Sequence, residues 1–298
     1  MGKLDPFFTS VHEDPEFFRE AVNFTAAETS FSPRLIEKDY FCTVLLRYLA
    51  TDDALVFKGG TCLAKVHVGF YRLSEDLDFA IPMAVDASRS ERSKQAAGLK
   101  QLLTALPRHV PIFSIVRSLT GANNSTQYIS VIGYNSLLDR REEAICVDLG
   151  LREPVLTPVI KTPAQTLLLD PVSGKPLVMP VTVGSLSAIE SFAEKYRAAL
   201  SRRDAAIRDF YDIDYSIRKQ RIRPQDAGFI SLVRQKLAVP GNEPVDISSE
   251  RLAVLQQQLA SQLRPVLRDS DFAEFDLTRA FETVAEMAAK VTQVSPST

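Results

Sequence analysis

Between residues 56 and 79 the chain reads VFKGGTCLAKVHVGFYRLSEDLDF, a stretch holding the residue types that phosphate and metal chemistry require. Gly59 and Gly60 permit a tight backbone turn that approaches an anion with no side chain in the way, and the first N–H groups of a following helix point at that anion. Thr61 adds a hydroxyl at the same place. Asp76 and Asp78 stand two residues apart, so in a strand both carboxylates leave one face while Leu77 and Phe79 leave the other. Carboxylates spaced roughly 6.5–7 Å along a strand can share divalent cations. The pattern is that of a site for a nucleoside triphosphate and its metal.

Two further groups extend it. In AICVDLG, Asp148 falls near the end of an apolar segment. It is either a third hard-oxygen ligand for a cation shared with Asp76 and Asp78, or a strand-end aspartate facing water or capping a loop. The second group is EKYRAALSRRDAAIRDFYDID, beginning at Glu194. On one continuous helix Lys195 and Asp209 would share an azimuth, since fourteen residues make nearly a whole number of turns, although a break near Ser201 limits that reasoning. Lys195 is read as neutralising phosphate charge, with neighbouring arginines guiding a polyanion. The aspartates beside Phe210 and Tyr211 belong to a packed helix, whereas Arg197 and Arg203 suit a solvated face. Glu37, Lys38 and Asp39 are likewise expected to face water.

The elements that must position these residues follow from periodicity and punctuation. Helices are expected over residues 15–26 and 33–50, the second started by Ser32 and Pro33. A short strand at 55–58 leads through the glycine turn into a helix at 61–68, and a strand at 76–81 is stopped by Pro82. A polar helix at 88–106, ended by Pro107, precedes strands at 111–119, 127–134 and 144–149, the first two joined as a hairpin through GANNS. Residues 151–183 read as edge strands around a DPVSGKP turn. From Ser185 the pattern is helical, over 186–201, 204–218, 224–237, 248–263 and 271–291, with Ser187 and Glu190 as a capping box. The fold expected is α+β: a mixed-sheet core over residues 1–183 with N-terminal helices, then a helical domain over 184–298 contributing to the active site.

Composition narrows the class. The chain of 298 residues is 45% apolar with a formal net charge of −2, which suits a globular protein and leaves any polyanion contact to local patches. No apolar run is long enough to span a bilayer, and the start lacks a signal-peptide core, so a cytoplasmic location is expected. Cys42, Cys62 and Cys146 lie in apolar runs at long spacings, as buried thiols do, and His12, His67 and His109 show no ligand spacing.

The motifs EKDY (37–40), FKGGTCLAK (57–65), RLSEDLDF (72–79), EK (194–195) and RDFYD (208–212), in that order, resemble those of the AbiEii/AbiGii-type nucleotidyltransferase toxins. That family belongs to the DNA polymerase β-like nucleotidyltransferase superfamily and occurs in abortive-infection and mycobacterial toxin–antitoxin systems. The resemblance implies a polymerase β-like core in which Gly60 and Thr61 stand where the superfamily has Gly-Ser. Asp76 and Asp78 would be the metal-binding pair, with Asp148 the third carboxylate. Ser74 falls on a position linked to activity and to control by a cognate antitoxin. Lys195 and the RDFYD segment correspond to the third and fourth motifs, with Asp209 and Asp212 both candidates for the acidic residue. Gly59, Gly60 and Thr61 would hold the triphosphate, supported by Lys58 or Lys65. The implied activity is Mg²⁺- or Mn²⁺-dependent transfer of NMP from an NTP to the tRNA 3′ end, blocking translation. Transfer to a protein or small molecule, or a non-catalytic nucleotide-binding regulator, is the alternative.

Overall fold

The computed structural model describes residues 11–220 and 222–293, so the N-terminal stretch and Arg221 lie outside the described residues. The chain divides between Leu186 and Ser187 into two compact units. In the first, the strands are β1 (Val56–Lys58), β2 (Leu77–Ala80), β3 (Ser114–Ala122), β4 (Gln127–Asn135), β5 (Glu142–Gly150), β6 (Ile160–Ala164) and β7 (Val181–Ser185). They form one sheet in the order β3-β4-β5-β2-β1-β7-β6. Pairing is antiparallel for β3/β4, β4/β5, β1/β2 and β6/β7, and parallel for β2/β5 and β1/β7, which makes the sheet mixed. Only β6 of the late pair is an edge strand. It carries Pro163, whose missing N–H an edge tolerates.

Alternation decides which face is buried. Phe57, Phe79 and Leu149 are register partners across β1, β2 and β5 and are all buried in the apolar core. The helices α1 (Pro15–Thr29), α2 (Pro33–Leu49) and α4 (Arg89–His109) contribute Phe18, Phe41, Leu45, Leu99 and Leu103 to the same core. Ser32 caps α2 by accepting from Leu35 N at 3.4 Å. Ser88 and Glu91 form a reciprocal capping box on α4. Pro107 does not end α4, which runs to His109.

The glycine turn opens a short helix, α3 (Gly59–Cys62), which continues as a π-helical turn over Leu63–Val68. In the second unit lie α5 (Ala188–Ser201), α6 (Ile207–Gln220), α7 (Ala227–Leu237), α8 (Ser249–Gln258), α9 (Asp269–Glu274) and α10 (Leu277–Thr292). The single helix expected over 271–291 is two, because the chain turns extended at Phe275 and Asp276 caps α10 by accepting from Arg279 N at 3.1 Å. The core of this unit holds Phe192, Tyr196, Phe210, Tyr211, Val233 and Val284, with Phe210 stacked on Phe281 at 5.9 Å. No described helix is long and apolar enough to cross a membrane.

Candidate active site

The residues of the glycine-turn motif converge on the half-buried face of the first unit's sheet. Lys58 on β1 is the register partner of Asp78 on β2, and Asp78 that of Asp148 on β5, so a cation and two carboxylates stand in one row across three strands. Paired residues share a face, which places these three opposite Phe57, Phe79 and Leu149. An atom at the Cβ position of Gly150 would lie 4.0 Å from Lys58 Nζ, which brings the ammonium over β5.

Gly59 is required by its backbone conformation and by what packs on it, and Gly60 is closely packed. Gly59 has φ +75°, and a Cβ there would stand 2.0 Å from Asp78 Oδ2. At Gly60 a Cβ would meet Arg72 Nη2 at 2.5 Å and Ser74 Oγ at 3.1 Å. The buried Thr61 hydroxyl donates to the carbonyl of Asp76, tying the turn to the aspartate segment. Asp76 itself precedes β2, and its Oδ1 accepts from Cys146 N at 3.2 Å. The Cys146 thiol is pushed up to about 11, first by burial and then by the negative charges of Asp76, Asp148 and Asp78. One side chain therefore feels all three carboxylates.

Lys65 belongs to a different set. Its side chain is fully buried, with Nζ 2.7 Å from Asp39 Oδ1 and 2.8 Å from Thr43 Oγ1. The expected support of phosphate by Lys65 is thereby corrected: its ammonium is committed to α2, and Lys58 is the lysine in the row. The expectation of a solvated face for Glu37, Lys38 and Asp39 is corrected too, since all three are buried. Each finds its partner on a distant segment. Glu37 accepts from Ser136 Oγ and Leu137 N, both at 2.7 Å, and Lys38 reaches Glu75 at 2.9 Å and Glu143 at 3.5 Å. Burial pushes the Glu75 carboxyl up, but Lys38 and Arg34 outweigh that and hold it below the usual value. This network ties α2 to the segment carrying Ser74 and Asp76. His67 Nε2 donates to the Leu186 carbonyl, 2.9 Å away, and burial holds its pKa below the ordinary value.

In the second unit, Lys195 on α5 lies 2.8 Å from Asp209 Oδ1 and 2.8 Å from Asp212 Oδ2, both on α6. The two candidate aspartates thus share one lysine. Asp209 and Asp212 are buried, and Arg202 Nη1 approaches Asp209 Oδ2 at 3.6 Å. Arg203 is exposed and pairs with Glu243 at 3.0 Å. Glu190 accompanies the Ser187 cap, and its carboxylate is buried against Lys236 at 2.6 Å.

Among the described residues no group of three or more His, Cys, Asp or Glu side chains stands ready by itself to hold a metal ion. The donor set still fits a hard divalent cation. Mg²⁺ is held by one or two carboxylates completed by substrate phosphates and water rather than by an all-protein cage, and Asp78 and Asp148 face each other on neighbouring strands with Asp76 adjoining. Sequence reasoning missed Arg72, Cys146 and Gln127. Arg72 lies inside the quoted RLSEDLDF motif, but nothing in the one-dimensional pattern links Gln127 to Asp148, whose Oδ2 accepts from its amide.

This fold is shared with solved structures. A crystal structure of a "putative nucleotidyltransferase from H. pylori" superposes with a TM-score of 0.50 at 14% identity, covering 88% of this chain and 96% of that one. JHP933 from Helicobacter pylori gives 0.50 at 15% identity over 88% of this chain and 93% of its own. No match was found among curated proteins. A mixed sheet with helices around it and a glycine turn beside strand-borne aspartates defines a nucleotidyltransferase of the α+β class. More particularly, the chain belongs to the AbiEii nucleotidyltransferase toxin family of type IV toxin–antitoxin systems, whose family model matches residues 44–287.

Proposed function

We propose that this nucleotidyltransferase moves NMP from an NTP onto a hydroxyl at the 3′ end of tRNA, releasing pyrophosphate and stopping translation until a cognate antitoxin intervenes. The observation that carries the reading is the row Lys58–Asp78–Asp148 laid beside the Gly59–Gly60 turn. In this scheme the backbone of Gly59 and Gly60 admits the triphosphate at close range, and Thr61 keeps that turn fixed to Asp76. Lys58 offsets phosphate charge. Asp76 and Asp78, with Asp148 as third ligand, would hold Mg²⁺ or Mn²⁺. A divalent cation bound there supplies charge neutralisation at the α-phosphate and at the departing pyrophosphate. The acceptor oxygen bonds to the α-phosphorus while the bond to the β-phosphate oxygen breaks and the hydroxyl proton passes to water, so the protein's task is positioning and neutralisation. Lys195, Asp209 and Asp212, joined in one cluster on α5 and α6, are the residues we assign to the family's third and fourth motifs, and Ser74, against Gly60, is the point where modification would alter the turn.

Membership of the toxin family is what supports tRNA as the acceptor and a cytoplasmic setting. Incubation of the full chain with each radiolabelled NTP, Mg²⁺ or Mn²⁺, and total tRNA is expected to label the tRNA and to release pyrophosphate. Asp76→Ala is expected to abolish both labelling and growth arrest. Label appearing on protein or a small molecule instead would replace the acceptor, and persistence of labelling in Asp76→Ala would remove the metal-dependent scheme.

A further inference from the structure

Asp148 is tethered from a segment with no counterpart among the motifs. Gln127, the first residue of β4, pairs with Gly150 across the β4/β5 ladder, while Asp148 pairs with Ile129. Gln127 and Asp148 are therefore diagonal neighbours on one face, a separation that a long side chain spans. Gln127 Nε2 donates to Asp148 Oδ2 at 2.5 Å. Asn123 Nδ2 in turn donates to Gln127 Oε1 at 3.2 Å.

The two contacts together allow only one orientation of the Gln127 amide. A carboxylate only accepts hydrogen bonds, so the amide nitrogen must face Asp148, and the amide oxygen then faces the Asn123 donor. Flipping the amide would set oxygen against carboxylate oxygen and nitrogen against nitrogen. The β3–β4 turn that delivers Asn123 is itself unusual. Asn123, Asn124 and Ser125 have φ of +49°, +55° and +62°, three successive non-glycine residues in the left-handed region. Apolar packing does not demand this, because Asn123 and Asn124 are exposed. What holds the turn is polar: Thr126 Oγ1 donates to Asn123 O at 2.7 Å, and Leu151 N donates to Thr126 O at 2.8 Å. Strained backbone of this kind is kept where surrounding structure enforces it, and it collects at functional sites.

We infer that Gln127, oriented by Asn123, is a positioning residue that stops rotation of the Asp148 carboxylate and so presents it to the divalent cation of the nucleotidyl-transfer site. The inference rests on the reading of Asp148 proposed above. Metal-ligating carboxylates are commonly held by such outer hydrogen bonds, and losing one lowers metal affinity about 10–100-fold.

The test is a Mn²⁺ titration of the full-length protein with a non-hydrolysable NTP analogue, followed by electron paramagnetic resonance of the free ion, alongside a Mg²⁺ titration of transfer to tRNA. Gln127→Ala is expected to weaken Mn²⁺ binding and raise the Mg²⁺ activation constant about 10-fold, with the rate returning toward wild type at saturating Mg²⁺. The metal-free melting temperature should be unchanged. In an Asp148→Ala background the same substitution should add nothing, because the group it positions is gone. Gln127→Met, of similar length without the amide, covers the case in which the alanine variant folds poorly. Wild-type Mn²⁺ affinity in Gln127→Ala or Gln127→Met, or an equal loss in the Asp148→Ala background, would overturn the inference. If Asp76→Ala abolishes transfer and metal binding while the Gln127 variants match wild type, this inference alone falls. If Asp76→Ala leaves both intact, the reading of the site falls first.

Discussion

Gly59 is the residue at which conformation and chemistry meet. Its φ of +75° is costly for any residue with a Cβ, and the Asp78 carboxylate fills the space that a Cβ would occupy. Gly59→Ala is therefore expected to destabilise the protein by at least about 1 kcal/mol and to displace Asp78, giving loss of transfer together with a lower melting temperature. Full activity in this variant would place the chemistry away from Asp78. His67 gives a pH-dependent expectation. Its folded pKa lies below the ordinary value through burial, so at mildly acid pH the unfolded chain binds the extra proton more readily. Its contribution is complete above the unfolded value of roughly 6.5 and is lost as pH falls through the folded one. Urea midpoints taken at falling pH should drop in that window, and His67→Gln should flatten the drop.

At the scale of elements, α2 does more than cover the sheet. Its Glu37, Lys38 and Asp39 each reach a different segment, and the Asp39–Lys65 pair is buried on both sides. A buried pair is weak evidence for net stability, but removing one partner strands the other charge. Lys65→Met is expected to cost about 3–5 kcal/mol in urea unfolding, and adding Asp39→Asn should recover part of that loss. If Lys65 instead held phosphate, the KM for NTP would rise with stability unchanged. The second unit contains a parallel case in Lys236, buried between Glu190 and Glu194 at 2.6 and 3.2 Å. Lys236→Met should lower stability by a similar amount through the same stranding of charge.

For the whole molecule, a net charge of −2 offers no general attraction to a polyanion. If tRNA is the acceptor, as proposed, its recognition uses local phosphate contacts. Each pair of phosphates neutralised makes binding about 10-fold weaker between 50 and 200 mM salt, so the KM for tRNA at fixed Mg²⁺ should rise with salt. A KM for tRNA that does not change with salt would remove these phosphate contacts. The division of the chain at Leu186, three residues beyond the expected boundary at 183, includes β7 whole in the first unit. Composition marks the change from strand to helix, whereas the unit ends where β7 finishes pairing with β1 and β6.

The glycine turn, the strand that carries Asp78, the hairpin through GANNS and the helical last third were legible in the sequence because each depends on neighbours within a few residues. Periods of two and 3.6 and the backbone freedom of glycine are local properties. Register and charge pairing are not. That Asp148 faces Asp78, that Lys58 joins their row, and that Gln127 tethers Asp148 depend on how β5 lies between β4 and β2. The same holds for Lys65, which looked available for phosphate beside the glycine turn and is instead enclosed with Asp39. A sequence shows that a charge is present. Only the folded chain decides whether that charge meets water, a substrate or another buried charge, because the cost of burial is set by partners brought from far along the chain.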